Sequence, residues 1–171
     1  MERGSIETIM EALNRANVRY LVVGGLAVVA HGFVRFTADI DLVLDPDSAA
    51  MRRAIDALSG LGYRPRAPVG FVDLSDPEKR RAWVRDKGLT VFSVFSKEHP
   101  ATEIDLFVET PFDFDRAYAN AERLEVAPGI TATFVGLSDL IAMKRRAGRP
   151  QDLQDVAELE SLPRPERGRD A

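Results

Sequence analysis

The sequence predicts an α/β (α+β) fold, a mixed β-sheet packed with helices and ending in a helical C-terminus. Three observations predict it. Short apolar strands alternate with segments of helical period, two pairs of strands are joined through turns, and two helical patterns close the chain. Residues 1–162 read as a single domain. The polar, Pro-rich end over 163–171, "PRPERGRDA", reads as a disordered tail.

Taken in order, Ser5 is placed to cap a helix over 6–17, where Ile6, Ile9, Met10 and Leu13 recur at helical spacing. "RYLVV" (19–23) is a buried strand. Gly24-Gly25 turns the chain into a short helix over 25–33. "DIDLVLD" (39–45) is a second strand, stopped by Pro46, and a helix follows over 47–59, closed by Gly60 and Gly62. In the weakly patterned stretch 63–75 a strand is expected at 69–73. Asp76, Pro77 and Gly88 punctuate a helix at its cap, first turn and end. Residues 89–96 and 102–109 are strands joined by a turn near Pro100. A hairpin follows around Pro128-Gly129, then helices over 137–148 and 150–162.

The totals exclude several function classes. Hydrophobic residues make up 45% and charged residues 29% of the 171, an ordinary balance for a globular protein. A net charge of -4 argues against general nucleic-acid coating, though not against a local basic site. The absence of cysteine removes disulfides and cysteine–zinc sites and fits a cytoplasmic location. No apolar run reaches membrane-spanning length, so no membrane partner is expected.

The chemistry lies in the acidic strands. Side chains alternate along a strand, so Asp39 and Asp41 share one face while Ile40, Leu42 and Leu44 share the other. The apolar set can pack on helices. The acidic pair then needs water or a counter-charge, because burying unpaired carboxylates is costly. A divalent cation with oxygen preference, Mg²⁺ or Mn²⁺, meets that need. In "TEIDLFVE", Asp105 has the matching context. On a neighbouring strand it would complete a three-carboxylate clamp of the kind that holds two metals about 3.5–4 Å apart for phosphoryl displacement. The plain alternative is a set of solvated edge-strand aspartates. Gly24-Gly25, between strand and helix, allows a tight turn and leaves backbone N–H groups open to an anion, as triphosphate oxygens require; Gly-Gly is also an ordinary turn.

"VGG", thirteen residues and "DIDL" resemble the signature of the polymerase-beta nucleotidyltransferase superfamily. The fuller set Gly24, Gly25, Ala27, Arg35, Thr37, Asp39 and Asp41, with "EIDLF" and with Lys144, Arg149, Asp152 and Asp155, resembles its minimal and abortive-infection (AbiEii-type toxin) branch. The resemblance covers residues 19 to about 160. It implies an enzyme that moves a nucleoside monophosphate from an NTP such as ATP to a hydroxyl acceptor and releases pyrophosphate. In that reading Asp39, Asp41 and Asp105 are catalytic and hold the metals, with Asp105 assisting deprotonation of the acceptor. Gly24, Gly25, Arg35, Thr37 and Lys144 bind the nucleotide. RNA (including tRNA), a protein or a small molecule remain open as acceptor, and a cognate antitoxin or a second copy of the chain as partner. The larger toxins of that branch carry extra helical regions for acceptor binding, whereas this chain ends soon after the shared core. The competing reading is a catalytically inactive, antitoxin-like binding module of the same fold.

Other residues invite chemistry with less support. Arg35 and Thr37 would share the acidic face if the second strand extends back to them. Asp152 and Asp155 read as structural partners of Arg149 or Lys144. His31 reads as a packing residue and His99 as an ordinary turn residue. Trp83, within "EKRRAWVRDK", reads as a core residue of a solvated helix rather than a base-stacking platform.

Overall fold

A computed structural model of the chain describes residues 3–163. Seven strands form one mixed sheet in the order β3-β4-β5-β2-β1-β7-β6. They are β1 (Tyr20–Val23), β2 (Asp39–Leu44), β3 (Arg64–Pro65), β4 (Val91–Phe95), β5 (Glu103–Phe107), β6 (Glu122–Ala127) and β7 (Ile130–Phe134). The pairs β2/β5 and β1/β7 are parallel; the other pairs are antiparallel. The helices are α1 (Arg3–Arg15), α2 (Gly24–Ala30), α3 (Ser48–Gly60), α4 (Pro77–Lys87), α5 (Phe114–Ala119), α6 (Leu137–Ala147) and α7 (Pro150–Ser161).

Period-2 alternation sets which face is dry. Ile40, Leu42 and Leu44 of β2, Ile104 and Leu106 of β5, and Phe92 and Val94 of β4 are all buried in one core with Ile9, Leu13, Met51 and Leu58 of α1 and α3. Asp39, Asp41, Asp105 and Ser93 project from the opposite, half-buried face.

The punctuation holds at most ends. The Asp47 carboxylate accepts from the Ala50 N–H to start α3, and Asp76 accepts from Glu78 and Lys79 to start α4. Gly88 and Gly148 end α4 and α6 in the left-handed region, at φ 62° and 64°.

Three local expectations, for Ser5, His99 and residues 69–73, are corrected. Ser5 lies inside α1, not at its cap; its buried Oγ hydrogen-bonds His99 Nδ1 at 3.0 Å. His99 also stacks on Tyr63, so it ties a turn to α1. The stretch 69–73 is not a strand. Phe71–Ser75 forms a 3₁₀ turn, since Phe71 and Leu74, three residues apart, both bury themselves and the Asp73 carboxylate accepts from the Gly70 N–H. The short α5 had no counterpart in the sequence reading; Asp113 caps it by accepting from the Arg116 N–H. Trp83 stacks on Phe92 at 5.5 Å between centroids, and is a packing residue. The expected tail over 163–171 falls, apart from Pro163, outside the described residues.

Candidate active site

The parallel pairing of β2 with β5 sets the centre of the site. Its register places Asp41 opposite Asp105 and Asp39 opposite Glu103. The antiparallel β1 brings Val23 opposite Asp41, so Gly24, the next residue, arrives beside that carboxylate. A cavity of about 580 Å³ opens here. Gly24, Gly25, Arg35, Thr37, Asp39, Asp41, Asp105 and Lys144, all eight residues singled out from the sequence, line it.

The glycines are specified by close approach. Gly24 has φ +62°, and a Cβ there would lie 1.9 Å from Asp41 Oδ2. A Cβ on Gly25 would lie 2.5 Å from an Arg35 guanidinium nitrogen and 2.6 Å from Thr37 Oγ1. Protein side chains fill the space where the missing Cβ atoms would stand, so packing requires glycine at both positions. Thr37 lies just before β2, where its hydroxyl donates to the Asp39 carbonyl at 3.3 Å.

The acids carry uncompensated charge. Burial, reinforced by the charges of Asp105 and Asp39, pushes the Asp41 carboxyl up to about 6; Gly25 and Lys144 pull the other way without cancelling it. Asp39 is raised by burial first, then by Asp105 and Glu103. Glu103 is held below its usual range by the guanidinium of Arg66, which forks onto it. Ser93, directly across from Asp105 on β4, donates its hydroxyl to Asp105 Oδ1 at 2.5 Å.

A second charged cluster forms the opposite wall. Lys144 of α6 is buried, with its Nζ 3.1 Å from Asp152 Oδ1 and 2.7 Å from Asp155 Oδ2 on α7. Arg149 donates to Asp152 at 2.6 Å, and Arg35 Nε lies 3.3 Å from Asp155 Oδ1. Burial works against the charge on Asp152, but hydrogen bonds from Arg149 and Lys144 outweigh it and hold that carboxyl below its usual range. The structural reading of Asp152 and Asp155 is thus supported by their partners. Two buried atoms here, Arg35 Nε and Asp155 Oδ2, make no hydrogen bond despite their ion-pair contacts. His31 is a packing residue whose Nε2 bonds the Val135 carbonyl at 2.8 Å.

Ser93, Arg146 and Phe36 were missed from the sequence. Ser93 had a readable signal, since it shares strand parity with Val91 and Phe95 in "VFSVF". Arg146 lines the cavity and is anchored to the Pro111 carbonyl at 2.7 Å; one basic residue among several gives no such signal. Phe36, 81% exposed at the cavity wall, looked like an ordinary loop residue.

The donor chemistry of Asp39, Asp41 and Asp105 suits a hard dication, and the raised Asp41 and Asp39 carboxyls are groups that such an ion would relieve. Among the described residues, no group of three or more His, Asp or Glu side chains is gathered closely enough to hold a metal alone.

Three solved structures of antibiotic-related proteins share this fold. It is similar to the lincomycin-bound crystal structure of the lincosamide antibiotic adenylyltransferase LnuA, at 14% identity and TM-score 0.62 over 95% of this chain and 99% of that one. It is similar to the solution structure of the antibiotic-resistance factor ANT(2″)-Ia, at 14% identity and TM-score 0.59 over 92% and 81% of the two chains. The crystal structure of ANT(2″)-Ia with adenylyl-2″-tobramycin gives 13% identity and TM-score 0.55 over 92% and 86%. The chain itself belongs to the family "Nucleotidyltransferase of unknown function" (DUF6036), whose model matches residues 5–162. No curated protein matches the sequence. Membership makes the chain a nucleotidyltransferase.

Proposed function

We propose that the chain transfers a nucleoside monophosphate from an NTP, with ATP the first candidate, to a hydroxyl acceptor. The observation that carries this reading is the register of Asp41 against Asp105 beside Gly24 in one cavity. Asp39, Asp41 and Asp105 would hold Mg²⁺ or Mn²⁺. That ion, when bound, supplies charge neutralisation at the phosphates and at the departing pyrophosphate. Gly24, Gly25, Arg35, Thr37 and Lys144 bind the triphosphate. For the cations this requires exchange: Lys144 and Arg35 now face Asp155, and phosphate oxygens would take over part of that contact.

In the transfer step the acceptor oxygen bonds to the α-phosphorus as the bond from that phosphorus to the bridging oxygen breaks. The electron pair leaves on pyrophosphate. The hydroxyl proton passes to Asp105, whose carboxylate Ser93 orients.

Among the described residues no helix is long and apolar enough to cross a membrane. An enzyme that consumes NTP works where NTP is abundant, which supports the cytoplasm. The AbiEii-type branch, with a toxin role and a cognate antitoxin, rests on the motif resemblance alone. LnuA is a lincosamide antibiotic adenylyltransferase and ANT(2″)-Ia an antibiotic-resistance factor, which supports a small-molecule acceptor equally well. The test is incubation of purified protein, Mg²⁺ and each α-phosphorus-labelled NTP with candidate acceptors. Stoichiometric pyrophosphate release with label transfer is expected. Failure to bind any NTP in the presence of Mg²⁺ or Mn²⁺ would favour the inactive-module reading.

A further inference from the structure

Strand order separates the two sides of the reaction. β1, ending at Gly24, flanks β2 on one side; β5, then β4 and β3, lie on the other. In-line displacement puts the leaving pyrophosphate and the entering oxygen on opposite sides of the α-phosphorus. With the triphosphate at Gly24-Gly25, the entering hydroxyl comes from the β4 side. This deduction rests on the proposed function above.

The surface on that side has a definite character. Val91, Ser93 and Phe95 of β4 share the face of Asp105 and Phe107, with Ser93 opposite Asp105 and Val91 opposite Phe107. All five are half-buried, whereas the alternating Phe92, Val94 and Leu106 are buried. Arg66 lies over the Phe95 ring, 5.0 Å from its centroid, and is committed to Glu103. Arg64 is turned onto the carbonyls of Ser59 and Tyr63. The face therefore offers apolar and aromatic surface bordered by Asp39, Glu103 and Asp105, with its nearest guanidinium already neutralised. The five-residue strands β4 and β5, ~4.8 Å apart and flanked by the two-residue β3, give a patch of up to roughly 10 by 15 Å, the size of a compound of one to three rings.

We infer that the half-exposed β3–β4–β5 face seats the acceptor, and that the acceptor is a small hydroxyl compound, uncharged or cationic, with an apolar ring face. A polyanion such as RNA would find Arg66, the guanidinium over the Phe95 ring, already committed to Glu103. The ring packs on Phe95 and Val91, and the hydroxyl reaches Asp105. That oxygen bonds to the α-phosphorus, pyrophosphate leaves with the electron pair, and the proton goes to Asp105.

The experiment uses the full chain with Mg²⁺ and labelled NTP against a panel of cationic aminosugars, neutral aryl glycosides, sugar phosphates, bulk tRNA and denatured protein. Label is expected in the first two classes. Phe95→Ala, and Phe95→Leu as the variant that keeps strand packing, should raise the acceptor KM about ten-fold, as expected when ~1.4 kcal/mol of contact is lost. Both should leave NTP affinity by calorimetry within about two-fold, on the same conversion. Label in tRNA, sugar phosphate or protein overturns the acceptor assignment. So does an unchanged acceptor KM in a folded Phe95→Leu protein, or NTP binding with no small compound labelled. Absence of NTP binding overturns instead the transferase reading beneath it.

Discussion

Replacing Asp41 by Asn should stabilise the metal-free protein while abolishing transfer. Asp41 is half-buried, repelled by Asp105 and Asp39, and pushed from an ordinary 3.8 up to about 6. A carboxyl whose folded pKa is raised favours the protonated fold. The fold therefore loses stability as pH rises from about 4 through about 6, and the deficit is constant above that. About two pKa units at 1.36 kcal/mol each give a cost of about 3 kcal/mol at pH 8. Asn keeps the shape but weakens the hydrogen bond from the Gly25 backbone, so the net gain is nearer 2 kcal/mol. For a chain of this size that is a rise of roughly 4–8 °C in melting temperature. The assay is thermal unfolding in chelator at pH 8 and pH 4, with and without Mg²⁺. The gain should appear at pH 8 and vanish near pH 4, and Mg²⁺ should raise the wild type but not Asp41→Asn. A metal-free variant that melts several degrees below wild type at pH 8 would refute the reasoning and make Asp41 a structural partner.

Gly24→Ala should lower stability by at least ~1–2 kcal/mol for the left-handed backbone alone. It should also push the Asp41 carboxylate aside and lose transfer, read by denaturant titration and label incorporation. Gly25→Ala meets only side chains, Arg35 and Thr37; the fold should survive with a loss of about 1–2 kcal/mol, and NTP affinity should fall because Arg35 is displaced. Calorimetry against chemical unfolding separates the two effects. Lys144→Met leaves Asp152 and Asp155 buried with Arg149, Arg35 and the Gln151 amide beside them, and should cost about 3 kcal/mol in urea unfolding at neutral pH. Much of that loss should disappear at acid pH, once Asp152, held below its usual range by Arg149 and Lys144, is protonated.

Local pattern carried a large part of the fold. Strand alternation alone assigns Ile40, Leu42 and Leu44 to the core and Asp39 and Asp41 to the other face, and the structure agrees. Asp76-Pro77 and Gly88 mark α4 because capping and left-handed termination depend on a few adjacent residues. The same locality explains the failures. Phe71–Ser75 is too short and mixed to show a period, and Ser5 looks like a cap because the sequence does not reveal that its hydroxyl meets His99, 94 positions along the chain.

By itself the sequence determined which side chains could form a phosphate-transfer site: an acidic pair on one strand face, a matching aspartate on another, and a double glycine before a helix. Those are properties of neighbouring residues, and backbone geometry converts them directly into direction and conformation. Only the tertiary structure decided their relations. That β2 lies parallel to β5, with Asp41 opposite Asp105, is a register between distant segments chosen by burial of both apolar faces. That Asp41 fills the space beside Gly24, that Lys144 is held by α7, and that Ser93 orients Asp105 follow from packing. Contacts of this kind appear only when separate elements are brought together, because burial and charge pairing act through space and not along the chain.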